Sequence, residues 1–249
     1  NDISSDGKKL IIGEYVSDNE SHLYLFDTET QKLQSITDRN EKQIVQGSAK
    51  FAKNPDEIWY VTDRGNEFNR LASLNLKTKK ISYFTTDIPW EVSGYTLSKD
   101  KSKIAFETNE SGLNKMYLMD ANSKKYSEIK GLPVGLVNNF EFTNDGKSLF
   151  FSQSTYDSSA DIYRLDLATN KIERWTDSEQ GEMQKTDMSA PKLIEWKSFD
   201  GMKITGFYYP VSKKFTGKRP VLINIHGGPE GQSMASSLGS GNYYTNEMG

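Results

Sequence analysis

The chain has 249 residues, no cysteine, two histidines and a formal net charge of −3 at neutral pH. That excludes disulfides, cysteine zinc sites and a thiol nucleophile, and leaves little room for a histidine metal site. It also provides no basic field for nucleic acid and no polybasic signal for a membrane.

Aromatic residues make up 12% of the chain while mean hydropathy is −0.70. Many short, half-buried strands joined by polar turns produce that combination. No run approaches the ~18 apolar residues of a membrane span. No signal peptide is visible, and a mature exported protein would look the same. The compartment stays open between bacterial periplasm and cytoplasm, with a lean to the periplasm from the lysine- and asparagine-rich, cysteine-free composition.

In chain order the dominant feature is repetition. A turn and strand recur as Asp6-Gly-Lys-Lys-Leu10, Pro55-Asp-Glu-Ile58, Lys101-Ser-Lys-Ile104 and Asp145-Gly-Lys-Ser-Leu149. From Leu10 through Ile58 and Ile104 to Leu149 the steps are 48, 46 and 45 residues. A second anchor is Leu23-Tyr-Leu-Phe-Asp27, Leu71-Ala-Ser-Leu-Asn75, Met116-Tyr-Leu-Met-Asp120 and Ile162-Tyr-Arg-Leu-Asp166. A third closes each unit, most clearly as Leu33-Gln-Ser-Ile-Thr-Asp38 and Ile172-Glu-Arg-Trp-Thr-Asp177.

Each unit reads as four short strands; in the third they are expected at 94–98, 103–108, 115–120 and 126–129. A four-stranded unit repeating every ~40–50 residues marks β-propeller blades, which bury their faces by stacking. The first unit lacks most of its innermost strand, so the chain is expected to begin inside a blade. A solenoid of hairpins and a complete four-bladed ring are the alternatives to an incomplete propeller. The recurring Asp27, Asp120 and Asp166 are expected to bond turn backbone rather than metal. Trp59, Trp90, Trp175 and Trp196 are expected in core or edge packing. His22 is expected in a solvated loop between strands, and Lys213, Lys214, Lys218 and Arg219 on a solvated loop face.

Residues 178–192 break the period and read as a linker. Leu193 to Pro210 then reads as a hairpin turning at Asp200-Gly201. Val221 to Ile225 is a β-branched run expected to form a buried strand, ending in His226-Gly227-Gly228-Pro229. Two glycines there permit a sharp turn with uncovered N–H groups. Residues 242–248 are expected to turn helical.

A repeat of this kind, followed by Lys197-Ser-Phe-Asp-Gly-Met-Lys-Ile204 and Pro220-Val-Leu-Ile-Asn-Ile-His-Gly-Gly-Pro-Glu-Gly-Gln232, resembles the prolyl oligopeptidase family of serine peptidases. The wording around His226 is closest to its acylaminoacyl-peptidase-like branch. The resemblance implies a mainly β fold of about four propeller blades followed by the N-terminal part of an α/β-hydrolase domain. The corresponding divisions are 1–177 partial propeller, 178–192 linker and 193–249 truncated hydrolase. It also implies acyl transfer at a peptide bond by Ser, His and Asp, on short peptides admitted past the propeller, with no cofactor.

Backbone N–H groups of Gly227 and Gly228 are then the oxyanion-hole candidates. His226 and Pro229 are the residues expected to support the turn. None of the triad is found: the nearest approach to Gly-x-Ser-x-Gly is Gly239-Ser240-Gly241, flanked by Leu238 and Asn242. The expectation is therefore a partial chain, inactive by itself, without nucleic-acid, membrane or metal partners, and with open sheet faces that leave homo-oligomerisation open. The rival reading is a non-catalytic, TolB-like propeller used for binding or interaction.

Overall fold

The computed structural model describes residues 2–179, 181, 184–228 and 231–249. The fold is mainly β, with four antiparallel four-stranded sheets in simple meander order. The first contains β1 (Asp2–Ile3), β2 (Lys9–Ser17), β3 (Glu20–Asp27) and β4 (Lys32–Ser35); the second β5 (Gln46–Phe51), β6 (Glu57–Thr62), β7 (Arg70–Asn75) and β8 (Ile81–Tyr83). The third contains β9 (Glu91–Leu97), β10 (Lys103–Glu110), β11 (Leu113–Asp120) and β12 (Tyr126–Glu128); the fourth β13 (Gly135–Phe142), β14 (Ser148–Thr155), β15 (Ser158–Asp166) and β16 (Ile172–Arg174). A separate hairpin joins β17 (Lys192–Lys197) to β18 (Lys203–Tyr208). The first sheet is complete but unequal, since β1 is two residues long and pairs Asp2 with Ile11 and Ile3 with Leu10.

Two compact units form. One comprises Asn1–Asn109 with Met116–Glu128, the other Glu110–Lys115 with Ile129–Gly249.

In the first unit the alternation of β6 explains the core. Ile58 and Tyr60 enter one cluster with Ile11, Leu23, Phe51 and Leu74. Trp59 and Val61, on the opposite face, enter another with Leu71, Ile104, Phe106 and Met119. Successive side chains of a strand point to opposite faces, so a strand buried on both loses its polar alternation. Polar side chains reinforce the stacking: Tyr95 Oη lies 2.7 and 2.8 Å from the carbonyl oxygens of Ser48 and Trp59, which share its one proton. Lys101 Nζ donates to the Phe51 carbonyl at 2.6 Å. The Lys124 ammonium lies 4.1 Å from the Trp59 ring centre, and burial pushes its pKa down.

Two turn devices recur. Oδ1 of Asp27, Asn75, Asp120 and Asp166 accepts the N–H groups two and three residues on, at 2.7–3.1 Å. Oδ1 of Asp6, Asp100 and Asp145 accepts both the hydroxyl two residues before and the N–H two residues after. Both are Asx-type turns, and the bonds hold these carboxyls below the usual range. Three sheets also close through a threonine. The N–H groups of Leu23, Leu71 and Ile162 donate to Oγ1 of Thr37, Thr85 and Thr176 at 3.0, 3.3 and 2.9 Å.

Register breaks occur near the β2–β3 and β14–β15 turns, at Tyr15/Ser17 and Gln153/Thr155, and at one recurring place within the sheets. The pairing of the first and second strands is broken in the second, third and fourth sheets, between Gly47 and Lys50, at Glu107/Thr108 and between Asn138 and Glu141. Ser48 and Asn139 take positive φ there, at 53° and 49°. Such bulges bend a strand and increase its twist. Nothing in the residue pattern announced them.

Two expectations are corrected. His22 is not in a solvated loop; it is 1% exposed on β3, with Nε2 3.2 Å from Glu20 Oε1. Val221 to Ile225 forms no strand: the segment is irregular, and Val221, Leu222, Ile223 and Ile225 are 72–83% exposed. A β-branched run becomes a strand only beside a partner that takes its N–H and C=O groups. Here β17 and β18 pair only with each other. Accordingly no layered α/β sheet forms among the described residues of 193–249.

Candidate functional site

The glycine turn is built from the segment after β18. Chain 209–219 is fastened by polar contacts: Tyr209 Oη donates to the Ser236 carbonyl at 2.7 Å, and the Ser212 N–H to the Thr245 carbonyl at 2.9 Å. Lys214 pairs with Glu247 at 3.1 Å. Residues 242–248 are helical, with a π-type turn over Tyr244–Met248. Ala235 is buried and its N–H donates to the Gly112 carbonyl at 3.0 Å. Gly112 sits at the β10–β11 turn with φ +83°, and a Cβ there would lie 2.7 Å from both the Phe207 ring and the Ser233 carbonyl.

At the turn itself His226, Gly227 and Gly228 are exposed. His226 Nδ1 lies 3.3 Å from the Gly227 carbonyl oxygen. Gly228 adopts φ 139°, in the region that favours glycine. A Cβ on Gly227 would meet nothing within 4 Å, so that position is open to a ligand. Gly231 is the residue that sequence reading passed over. A Cβ there would sit 2.6 Å from the Gly227 carbonyl oxygen and 3.0 Å from His226 Nδ1. The chain thus doubles back on itself, and only glycine fits at the closing position.

Among the described residues no protein acceptor takes the Gly227 or Gly228 N–H. Pro229 lies outside the described residues. Ser240 is exposed in a 3-10 turn, Gly239–Gly241, and makes no hydrogen bond to His226. No group of three or more His, Cys, Asp or Glu is placed to hold a metal among the described residues. Among the described residues no helix is long and apolar enough to cross a membrane.

The family model of the prolyl oligopeptidase N-terminal β-propeller domain matches residues 1–178. The chain belongs to the prolyl oligopeptidase family. Its four sheets are accordingly the blades of that family's propeller. No curated protein sequence matches the chain. Solved structures do, and their likeness establishes the fold. A puromycin hydrolase superposes with a TM-score of 0.83 at 16% identity, over 98% of this chain and 39% of its own. A puromycin-hydrolyzing peptidase of Mycobacterium tuberculosis gives 0.81 at 12% identity, over 97% and 39%. A prolyl endopeptidase gives 0.70 at 15% identity, over 82% and 30%. The chain therefore spans well under half the length of each of these proteins.

Proposed function

We propose that this chain is the blade-bearing part of a serine-type peptidase acting on short peptides. On this reading residues 1–177 form part of the propeller, 178–192 the linker, and 193–249 the opening of the α/β-hydrolase domain. The carrying observation is the order of parts: a family propeller match ends at residue 178, and a hairpin leads on to an exposed glycine turn whose N–H groups have no protein acceptor among the described residues. Such donors, aimed at the oxygen on which charge develops, stabilise a tetrahedral intermediate by about 2.7–4 kcal/mol each. Gly227 and Gly228 are the proposed donors, and Gly231 and His226 shape the turn that presents them. The propeller's role is to restrict access, which favours peptides over folded proteins.

The 249-residue chain contributes one side of that site and carries no Gly-x-Ser-x-Gly nucleophile. It is accordingly inactive alone. A fluorophosphonate serine-hydrolase reagent should leave the purified chain unlabelled and label the product of the complete reading frame. Substituting Gly227→Pro in that product removes one N–H at the position where an added Cβ meets nothing within 4 Å, and should lower kcat about 100-fold or more, while the nucleophilic serine still takes the label. Labelling of the chain itself refutes its inactivity. A complete product that is never labelled favours a binding or interaction propeller instead.

A further inference from the structure

One position recurs in the third strand of every blade, just before the second sequence anchor: His22, Arg70, Lys115 and Asp161. Each of the first three bonds a residue just upstream of itself. His22 contacts Glu20, Arg70 donates to the Arg64 carbonyl at 2.7 Å while its guanidinium lies over the Tyr83 ring, and Lys115 pairs with Glu110 at 2.6 Å. Asp161 reverses the charge. Its side chain is 0% exposed, and most of its donors come from downstream.

Those donors are numerous. Arg174 pairs with Asp161 Oδ2 at 2.5 Å. Thr176 Oγ1 and the Ser178 N–H each donate to Oδ1 at 2.8 Å, and Ser178 Oγ does so at 3.1 Å. Ser158 Oγ adds a short bond to Oδ2. Ser178 Oγ also reaches the Ala160 carbonyl at 2.7 Å, and the same Arg174 Nη2 that meets Asp161 also pairs with Asp177 at 2.7 Å. Burial alone would raise the Asp161 pKa. The bonds from Ser158, Thr176, Arg174 and Ser178 outweigh it and hold the carboxyl well below its usual range. Ser158, Tyr163 and Arg174 also wall a cavity of about 250 Å³ that Lys185, seven residues beyond Ser178, helps to line.

We infer that Asp161 is a clasp that fastens the chain leaving the fourth blade, fixing residues 174–178 to the blade and holding the segment around Lys185 against the cavity. A buried carboxylate left without these donors is strongly unfavourable, so exit segment and blade separate only at high cost. The clasp rests on blade geometry and is independent of the peptidase reading. It stays closed at neutral pH, because the bonds from Ser158, Thr176, Arg174 and Ser178 keep the carboxyl ionised against the other charged and titratable groups facing it, Asp177, Asp157 and Tyr163.

The test compares the wild-type chain with Asp161→Asn and with the double variant Ser158→Ala/Thr176→Val, which leaves the Asp161–Arg174 pair and Ser178 in place. Two readings are taken under native conditions: exchange of the Ser178 amide hydrogen and tryptic cleavage after Lys185. The inference expects both to speed up by about tenfold or more in each variant, while amides of the first unit such as Leu71 keep their protection. Unchanged Ser178 exchange and cleavage in the double variant overturn it. So does acceleration matched by every amide of the chain, which would make Asp161 a general stability residue.

Discussion

The four blades and the segment after them use similar residue types in opposite ways. In the blades, apolar alternation is spent on burial: Ile58, Tyr60, Leu71, Ile104 and Phe106 are all fully buried. Beyond Leu165, Ala235 is the sole apolar residue among those described that is buried, while Phe199, Val221, Ile223 and Ile225 stand largely in solvent. The blades are held by packed side chains, the later segment by individual hydrogen bonds. Apolar sequence contributes stability only where neighbouring strands exist to receive it.

That contrast can be broken by substitution. Phe106 stacks on Tyr117 with centroids 4.9 Å apart and meets Tyr126 edge-on. Truncation to alanine should cost about 3–5 kcal/mol in urea denaturation. A smaller loss would mean that the interface between the second and third sheets is looser than described.

The next effect has the opposite sign. Glu107 is half-buried on β10, and desolvation of its carboxyl pushes its pKa up to about 7. The folded state then binds its proton more tightly than the unfolded chain, whose carboxyl titrates near the ordinary value. The penalty is absent below that ordinary value, grows as pH rises, and is complete above about pH 7. Glu107→Gln should therefore stabilise the chain by about 2–3 kcal/mol at pH 8 and by little at pH 4. Equal melting temperatures for the two proteins at pH 8 would contradict a desolvated carboxylate whose Oε2 has no hydrogen-bond partner among the described residues.

Gly112 sharpens the comparison from the other side, because it lies where a blade turn meets the polar segment. Gly112→Ala adds both a positive-φ penalty and a clash with Phe207 and the Ser233 carbonyl, together about 1–3 kcal/mol. Protection of the Ala235 amide should fall first. Thr37→Val removes the acceptor for the Leu23 N–H and should cost about 1 kcal/mol, measurable as a lowered denaturation midpoint with unchanged slope. Smallest of all, Ile223→Ala should change stability by no more than about 0.5 kcal/mol. A loss comparable to that of Phe106→Ala would place Ile223 in a core.

Much of this was legible in the residues. Period, strand count and turn positions follow from alternation and from Asp, Asn and Gly at turns, which act over two to four neighbours. The hairpin at Asp200-Gly201 appears as expected, with Gly201 at φ 86°. At the candidate site the pattern pointed to Gly227 and Gly228. It passed over Gly231, whose need for glycine comes from the approach of His226 and the Gly227 carbonyl.

By itself, then, the sequence determined the repeat, the meander of four-stranded blades, the Asx turns and the resemblance that the family match bears out. Tertiary structure alone decided which polar groups would be buried and which apolar ones left out. His22 looked like a loop residue until β3 and Glu20 enclosed it, and Asp161 is buried only because Arg174, Thr176 and Ser178 close around it. Val221 to Ile225 looked like core until no strand paired with it. Local pattern sets what a strand is able to bury; what it does bury depends on residues brought beside it from elsewhere in the chain.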